Sequence, residues 1–158
     1  QAMDKTLERL WKERVSGLPF KTSREALILA SIVEKETGLS SERARIAGVF
    51  INRLNRGMRL QSDPTVVYGL SEGEGFLGRP LNRVDLKVKN PYNTYTINGL
   101  PPGPICNPGP AAIKAVLNPQ KTDEFYFVAD GKGGHLFAKT LNEHNINVAK
   151  WRKIRDSD

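Results

Sequence analysis

The segment 99–110 (GLPPGPICNPGP) holds five prolines and three glycines within a dozen residues. Proline has no backbone N–H, clashes inside a helix and is confined to the edges of sheets. The segment therefore cannot form a helix or a central strand. Because it also contains Leu100, Ile105 and the chain's single cysteine, Cys106, we expect a rigid, shaped loop rather than a flexible linker.

Helical periodicity dominates the first part of the chain. Apolar residues at helical spacing predict helices over residues 4–15, 24–37 and 41–55. Ser23 and Ser40 precede the second and third of these segments and suit their N-terminal caps. The sequence therefore predicts a helical N-terminal half.

Turns and short β-like runs follow. Alternating apolar residues predict a β-hairpin with strands at 124–130 and 135–138. The residues between them, 131–134 (GKGG), are typical of a tight turn; a phosphate-binding backbone nest is the alternative, although the spacing of a Walker or Rossmann loop is absent. Further β-like runs lie at 65–68 and 92–97, and further helices are predicted at 111–117 and 141–155.

These elements predict an α+β fold, in which the helical half packs on a small, mostly antiparallel sheet with long proline- and glycine-rich loops. A chain of 158 residues, of which 39% are hydrophobic, suits one compact domain. The sequence contains no apolar run of the length, about 20 residues, that a membrane span needs.

Glu36 occupies an unusual position on the second predicted helix. Leu29, Ile32 and Val33 precede it by seven, four and three residues and share its helix face. Gly38 is a usual C-terminal cap, so Glu36 lies in the last turn, where the helix macrodipole disfavours negative charge. Burial and the dipole both raise the pKa of a carboxyl group. A protonated carboxyl near neutral pH suits a general acid, whereas the alternative is a glutamate that only extends from a helix end into solvent.

The cysteine and histidine content excludes several kinds of site. Cys106 alone cannot form a disulfide within the chain, and together with His135 and His144 it does not supply the ligands of a usual structural zinc site. We therefore expect no metal and no cofactor. Cys106 and His135 could pair as nucleophile and base, but a lone cysteine is typical of a small apolar filler.

The net charge of +7 favours anionic partners. The densest basic stretch, 53–60 (RLNRGMRL), is interleaved with core-type residues, so a solvated surface is the simpler interpretation. Zinc-finger, RNP-type and homeodomain patterns are absent from the sequence. We therefore expect no nucleic-acid partner.

Five ordered segments of the chain form one pattern: ASIVEKETG (30–38), VFINRL (49–54), GMRLQSDPTVVYGL (57–70), NPYNTYTINGLPPGPICNPG (90–109) and FYFVADGKGGHLF (125–137). Together they resemble one family, the MltG-type (YceG-like) endolytic murein transglycosylases. The resemblance covers the catalytic domain, from about Leu18 to about Trp151. It suggests a division into a leading helix at 1–17 and a catalytic domain at 18–158, with a lysozyme-like arrangement of the active site.

The resemblance implies a lytic transglycosylase whose catalytic residue is Glu36. Such enzymes carry a glutamate followed by a small hydroxyl residue, which Glu36–Thr37 matches and Glu34–Lys35 does not. They cleave the β-1,4 bond between N-acetylmuramic acid and N-acetylglucosamine without water and leave 1,6-anhydro ends, so no second carboxylate is required. If there is one, Asp63 and Asp130 are candidates, and Asp63 could instead be a turn cap before Pro64.

Polar and aromatic residues suited to sugar rings and acetamido groups are the candidates for substrate binding. Tyr92 and Tyr95 have opposite parity on the predicted strand, so we expect at most one to face a cleft unless the strand bulges. Asn52 could point at Glu36 or form a polar flank of its helix. The candidates are Asn52, Gln61, Ser62, Asp63, Tyr92, Asn93, Tyr95 and Asn107.

The family resemblance also implies a setting for the chain. Members usually carry an N-terminal membrane helix and a LysM-like domain, so the full-length protein is expected in the bacterial inner membrane with its catalytic domain in the periplasm, and this chain would be the excised domain. The implied partners are peptidoglycan glycan strands and, by analogy, cell-wall synthases (penicillin-binding proteins), beside which it would terminate glycan growth. The rival hypothesis is a non-catalytic peptidoglycan-binding module whose glutamate is structural.

Overall fold

Helices and a β-hairpin alternate with long loops in the computed structural model, which describes residues 2–157. This architecture confirms the predicted α+β class. A single 3₁₀ turn spans Asp85–Lys87. The other elements in chain order are α1 (Ala2–Lys12), α2 (Ser23–Glu36), α3 (Arg43–Arg56), α4 (Asp63–Leu70), α5 (Pro110–Leu117), β1 (Tyr126–Ala129), β2 (His135–Ala138) and α6 (Leu141–Asp156).

The apolar core lies between α2, α3 and α5, and α1 covers one side of it. Leu29 and Ile32 of α2 meet Phe50 of α3 and Ile113 of α5, and all four side chains are almost completely buried. Burial of each such side chain contributes about 1.5–3 kcal/mol to folding. This core holds the C-terminal end of α2 in a fixed position.

Helix α2 ends at Glu36 itself. Thr37 has an extended backbone (φ −147°, ψ 140°), and its Oγ1 accepts a 3.0 Å hydrogen bond from the Leu39 N–H, so the chain leaves the helix one residue before the predicted boundary. At the other end, the cap is Thr22 rather than the predicted Ser23; the Thr22 hydroxyl accepts a 3.3 Å hydrogen bond from the Glu25 N–H. Both differences lie within the usual uncertainty of helix boundaries.

Two predicted strands are wrong. The run at 65–68 belongs to α4, which starts at Asp63 with Pro64 in its first turn, where the missing N–H of proline does no harm. The run at 92–97 consists of turns, because the Asn93 side chain bonds nearby backbone: it donates to the Leu86 and Val88 carbonyls at 3.0 and 2.8 Å and accepts from the Tyr95 N–H at 2.9 Å. Such local side-chain bonds compete with strand pairing.

The predicted C-terminal hairpin is confirmed, with β1 and β2 antiparallel and Phe127 paired with Phe137. Its turn is closed by Asp130, whose Oδ1 accepts hydrogen bonds from the Lys132 and Gly134 N–H groups at 2.6 and 3.1 Å. These bonds lower the pKa of Asp130. The GKGG segment is therefore a hairpin turn, and Asp130 stabilises that turn.

Helix α3 anchors the segment that leads into β1. The Asn52 amide donates to the Thr122 and Glu124 carbonyls at 2.7 and 2.9 Å. Arg45 makes a two-pronged ion pair with the Glu124 carboxylate, and Arg53 Nε donates to the Phe125 carbonyl at 2.6 Å. These bonds fasten the start of the hairpin to α3.

Helix α6 lies against the hairpin, capped by Thr140, whose Oγ1 accepts a 3.2 Å hydrogen bond from the Glu143 N–H. None of its residues is fully buried. Across the described part of the chain, no helix combines the length and the apolar character needed to cross a membrane.

Candidate active site

Glu36 projects into a cavity of about 530 Å³ between the end of α2, the start of α4, the hairpin and α6. A second cavity of about 490 Å³ on the far side of Glu36 shares Glu36, Ala129, His135 and Trp151 with the first, so the two form one groove with Glu36 at their junction. The first cavity is lined by Glu36, Arg53, Leu60, Gln61, Asp63, Tyr95, Phe127, Val128, Ala129, His135, His144 and Trp151.

The carboxyl group of Glu36 is protonated at neutral pH. Burial of the carboxyl and the negative charge of Asp63 together raise its pKa from 4.5 to about 8, although the Ser62 hydroxyl acts in the opposite direction. Because Leu29, Ile32 and Val33 are completely buried on the same helix face, the apolar surroundings come directly from the sequence pattern. Desolvation penalises the charged form of a carboxyl group.

Ser62 is a buried neighbour of Glu36 that affects its pKa. Ser62 is completely buried, and among the described residues its Oγ has no well-formed hydrogen bond. The Ser62 hydroxyl nevertheless lowers the pKa of Glu36, which requires that it lie close to the carboxyl group. The Ser62 N–H donates to the Thr94 hydroxyl at 2.8 Å and so fixes the residue. The site thus contains a buried hydroxyl that is available to form a hydrogen bond with Glu36 when the Glu36 carboxyl group loses its proton.

Asp63 and Tyr95 form a pair on one wall of the cavity. The Tyr95 hydroxyl donates a 2.6 Å hydrogen bond to Asp63 Oδ1. Burial of the Tyr95 ring and the Asp63 charge raise the pKa of the Tyr95 hydroxyl above its usual value, so that hydroxyl remains a donor. The bond orients a carboxylate whose charge acts on Glu36.

Gln61 reaches the same cavity with an uncommon backbone conformation. Its φ is +52°, a region that residues other than glycine rarely adopt. Its N–H donates to the Thr94 carbonyl at 3.2 Å, and its Oε1 accepts a 3.4 Å bond from Arg53. Backbone strain of this kind is often found at functional sites.

The structure brings together only some of the residues predicted from the sequence. Glu36, Gln61, Asp63 and Tyr95 line the cavity, with Ser62 buried beside it. The other predicted sugar ligands lie elsewhere: the Asn52 and Asn93 amides bind backbone carbonyls, Tyr92 packs on Tyr68 with ring centres 4.7 Å apart, and Asn107 is exposed and outside the lining.

One alternative chemistry finds no support in the geometry. Cys106 Sγ contacts the Ser31 carbonyl at 3.2 Å, whereas His135 pairs with Glu42, so Cys106 and His135 do not form a nucleophile and base. Within residues 2–157, no group of three His, Cys, Asp or Glu side chains converges as a metal site.

Glu34 has a structural role that distinguishes it from Glu36. Its Oε1 accepts a 2.7 Å hydrogen bond from the Gly109 N–H in the proline-rich loop. The loop is also tied to α2 through Ser31, whose hydroxyl accepts from the Ile105 N–H at 3.0 Å. The loop is therefore fastened to α2 at two points.

Sequence reasoning missed His135, His144 and Trp151 as groove residues. His144 stacks on Tyr126 with ring centres 5.0 Å apart, and burial followed by the Arg53 charge lowers its pKa. Trp151 lies at the junction of both cavities. One signal in the sequence could have drawn attention to them. The predicted hairpin and the helix after it carry two histidines and a tryptophan within the last 24 residues.

Comparison with known proteins identifies the family. The sequence model of the YceG-like family matches residues 1–150. The chain belongs to the YceG-like family. This YceG-like chain is 46% identical over 128 residues to an endolytic murein transglycosylase of Bacillus subtilis, covering 79% of this chain and 34% of that protein. It is 39% identical over 155 residues to an endolytic murein transglycosylase of Streptococcus pneumoniae, covering 94% of this chain and 27% of that protein.

A solved structure shares the fold. A yceG-like protein of Listeria monocytogenes superposes with a TM-score of 0.77 at 43% identity, covering 92% of this chain and 44% of that one. The YceG-like chain described here thus spans about a third or less of the curated relatives and under half of the solved one.

Proposed function

We propose that this chain is the catalytic domain of an endolytic peptidoglycan lytic transglycosylase with Glu36 as its single acid and base. The observation that carries the proposal is a carboxyl group with a pKa of about 8 at the junction of an open groove. Such a group holds its proton at neutral pH and is exposed to a polymer that lies along the groove. The names of the curated relatives support the same activity.

The proposed reaction uses the Glu36 carboxyl twice. The carboxyl donates its proton to the oxygen of the β-1,4 bond between N-acetylmuramic acid and N-acetylglucosamine as the bond from that oxygen to the anomeric carbon breaks. The C6 hydroxyl oxygen of the muramoyl sugar then bonds to the anomeric carbon, and its proton passes to the Glu36 carboxylate. The products are a 1,6-anhydromuramoyl end and a free glycan end, and the carboxyl is restored without water.

The surroundings of Glu36 suit both steps. Burial and Asp63 favour the protonated carboxyl before cleavage, and the free hydroxyl of Ser62 is available to stabilise the carboxylate that forms. Asp63 lies on the same wall with Tyr95 bonded to one oxygen, where its negative charge can stabilise the positive charge that develops on the sugar.

The biological setting follows from the family and is part of the proposal. The glycan strands of peptidoglycan are the substrate, and the full-length protein is anchored in the bacterial inner membrane with this domain in the periplasm. There it cuts nascent strands beside cell-wall synthases and so terminates their growth.

The identity of the new glycan ends tests the proposal. Purified peptidoglycan strands are incubated with the chain, and the fragments are analysed by mass spectrometry. We expect 1,6-anhydromuramoyl ends, lighter by one water than reducing ends, and no cleavage of chitin oligomers, which lack muramic acid. Mainly reducing muramic acid ends would make the chain a hydrolase with Asp63 as a second carboxylate, and binding without cleavage would make it a peptidoglycan-binding module.

A further inference from the structure

His135, the first residue of β2, lines both parts of the groove, as Glu36 does. Its position is fixed by Glu42, the residue before α3. Glu42 Oε2 accepts a 3.2 Å hydrogen bond from the His135 backbone N–H, and Glu42 Oε1 lies 2.8 Å from His135 Nδ1. Both side chains are largely buried, with 14% and 19% of the His135 and Glu42 side chains exposed.

The aromatic residues of the hairpin restrict the imidazole further. The Phe127 ring meets it edge to face, with ring centres 5.3 Å apart and planes at 88°. With Nδ1 bound to Glu42, Nε2 is the one remaining polar atom of the ring. Within residues 2–157, Nε2 has no hydrogen bond, and it is not among the buried polar atoms that lack a partner. Nε2 is therefore accessible from outside the protein, and His135 lines both parts of the groove.

The carboxylate of Glu42 determines the chemical character of this open nitrogen. A carboxylate can only accept, so it selects the tautomer with the proton on Nδ1, and the neutral ring then carries its lone pair on Nε2. Carboxylate–histidine pairs use the same principle to orient the histidine ligands of metals. In that tautomer, His135 offers a hydrogen-bond acceptor whose orientation Glu42 fixes, in the groove that Glu36 also lines.

We propose that His135 Nε2 accepts a hydrogen bond from a hydroxyl group of the sugar bound at Glu36, and that Glu42 is the positioning residue for this contact. The ligand class is a glycan, whose hydroxyls are the donors that an acceptor in this groove requires. The inference rests on the proposed glycan substrate, and it adds a substrate contact on the hairpin to the cavity that Asp63 and Tyr95 also line.

Two substitutions separate this role from a structural one. The amide nitrogen of asparagine can replace Nδ1 and keep the bond to Glu42, whereas the longer side chain of glutamine can place an amide oxygen where Nε2 lies. We measure the rate of anhydromuramoyl end formation against glycan concentration for the wild-type chain, His135→Gln and His135→Asn. The melting temperature of each variant serves as the control for folding.

We expect His135→Gln to keep kcat within about tenfold of wild type and His135→Asn to lose at least another tenfold, since a lost neutral hydrogen bond accounts for about 3- to 10-fold and more when it strengthens in the transition state. If His135→Asn is as active as His135→Gln or more active, the histidine only holds Glu42, and the inference is overturned.

Binding separates a failure of this inference from a failure of the proposed function. Dissociation constants for uncleaved glycan are measured with both substitutions in the Glu36→Gln background, where no turnover occurs. Weaker binding by the asparagine variant than by the glutamine variant supports the contact with a sugar hydroxyl, even if the wild-type chain cleaves nothing. Where the wild-type chain cleaves glycan, the rates decide; where it cleaves nothing, equal binding by the two variants contradicts the inference.

Discussion

Asp63 and Glu36 face the same cavity, and the charge of Asp63 raises the pKa of Glu36. The Tyr95 hydroxyl holds Asp63 in place with a 2.6 Å hydrogen bond. The two carboxyl groups have different surroundings: Glu36 lies at the end of an apolar helix face, where desolvation raises its pKa, whereas Asp63 is exposed and accepts a hydrogen bond.

Asp63→Asn should lower the pKa of Glu36. The substitution removes the negative charge but keeps an oxygen that can accept from Tyr95. Activity that requires protonated Glu36 should then be lost at lower pH than in the wild-type chain. The measurement is the pH dependence of the cleavage rate, and an unchanged alkaline limb would show that Asp63 does not act on Glu36.

Ser62→Ala should move the same limb in the opposite direction. The Ser62 hydroxyl lowers the pKa of Glu36, so its removal should extend activity to higher pH, while the rate at the optimum falls because the carboxylate loses a donor. The residue is buried, so the melting temperature is recorded alongside. A shift to lower pH, in the direction expected for Asp63→Asn, would contradict this role of the hydroxyl.

Glu36→Gln should stabilise the fold at alkaline pH. The pKa of Glu36 is about 8 in the folded chain, against an ordinary value of 4.5. Between these two values the unfolded chain releases the proton that the folded chain keeps, so the free energy of unfolding of the wild type falls as pH rises from about 4.5 to about 8.

The free energy of unfolding of Glu36→Gln cannot show that fall, because glutamine does not titrate. Near pH 4 the two chains should be equally stable, and near pH 9 Glu36→Gln should be more stable by roughly 1–4 kcal/mol. Chemical denaturation at both pH values measures the difference. Equal stability at pH 9 would mean that the fold does not raise the pKa of Glu36. Glu34→Gln serves as the matched control on the same helix.

The origin of the Glu36 site could be read from the sequence, whereas much of its surroundings could not. Leu29, Ile32 and Val33 mark the apolar face on which Glu36 lies, because helical spacing alone places them together. The hairpin and its Asp130 turn could also be predicted, because their contacts join residues that are close in the sequence. In contrast, the turns around Asn93 depend on bonds between side chains and backbone that overrode the β propensity of the segment.

The remaining wall of the groove depends on tertiary contacts. Ser62 takes its position from Thr94, 32 residues away, and His135 takes its orientation from Glu42, 93 residues away. Nothing in the local pattern indicates such pairs. Trp151 lines the same groove as Glu36 because α6 packs against the hairpin, which periodicity cannot predict.

Asn52→Ala should reduce stability rather than change the acid chemistry. The Asn52 amide donates hydrogen bonds to the Thr122 and Glu124 carbonyls before β1. Leaving such acceptors unpaired costs about 1–3 kcal/mol of stability. Thermal denaturation measures the loss, with the exposed Asn107→Ala as control, which should stay within about 0.5 kcal/mol of wild type. If Asn52→Ala melts like wild type but loses all cleavage, Asn52 is a substrate ligand after all.

The most direct test of the account compares two isosteric substitutions two residues apart on α2. Peptidoglycan strands are treated with Glu36→Gln and with Glu34→Gln, and anhydromuramoyl ends are quantified by mass spectrometry. Glu36→Gln should lower the rate by at least about 100-fold, since it removes the acid and base. Glu34→Gln can still accept the hydrogen bond from Gly109 and should keep most activity. Full activity in Glu36→Gln, or loss confined to Glu34→Gln, would contradict the assignment of Glu36.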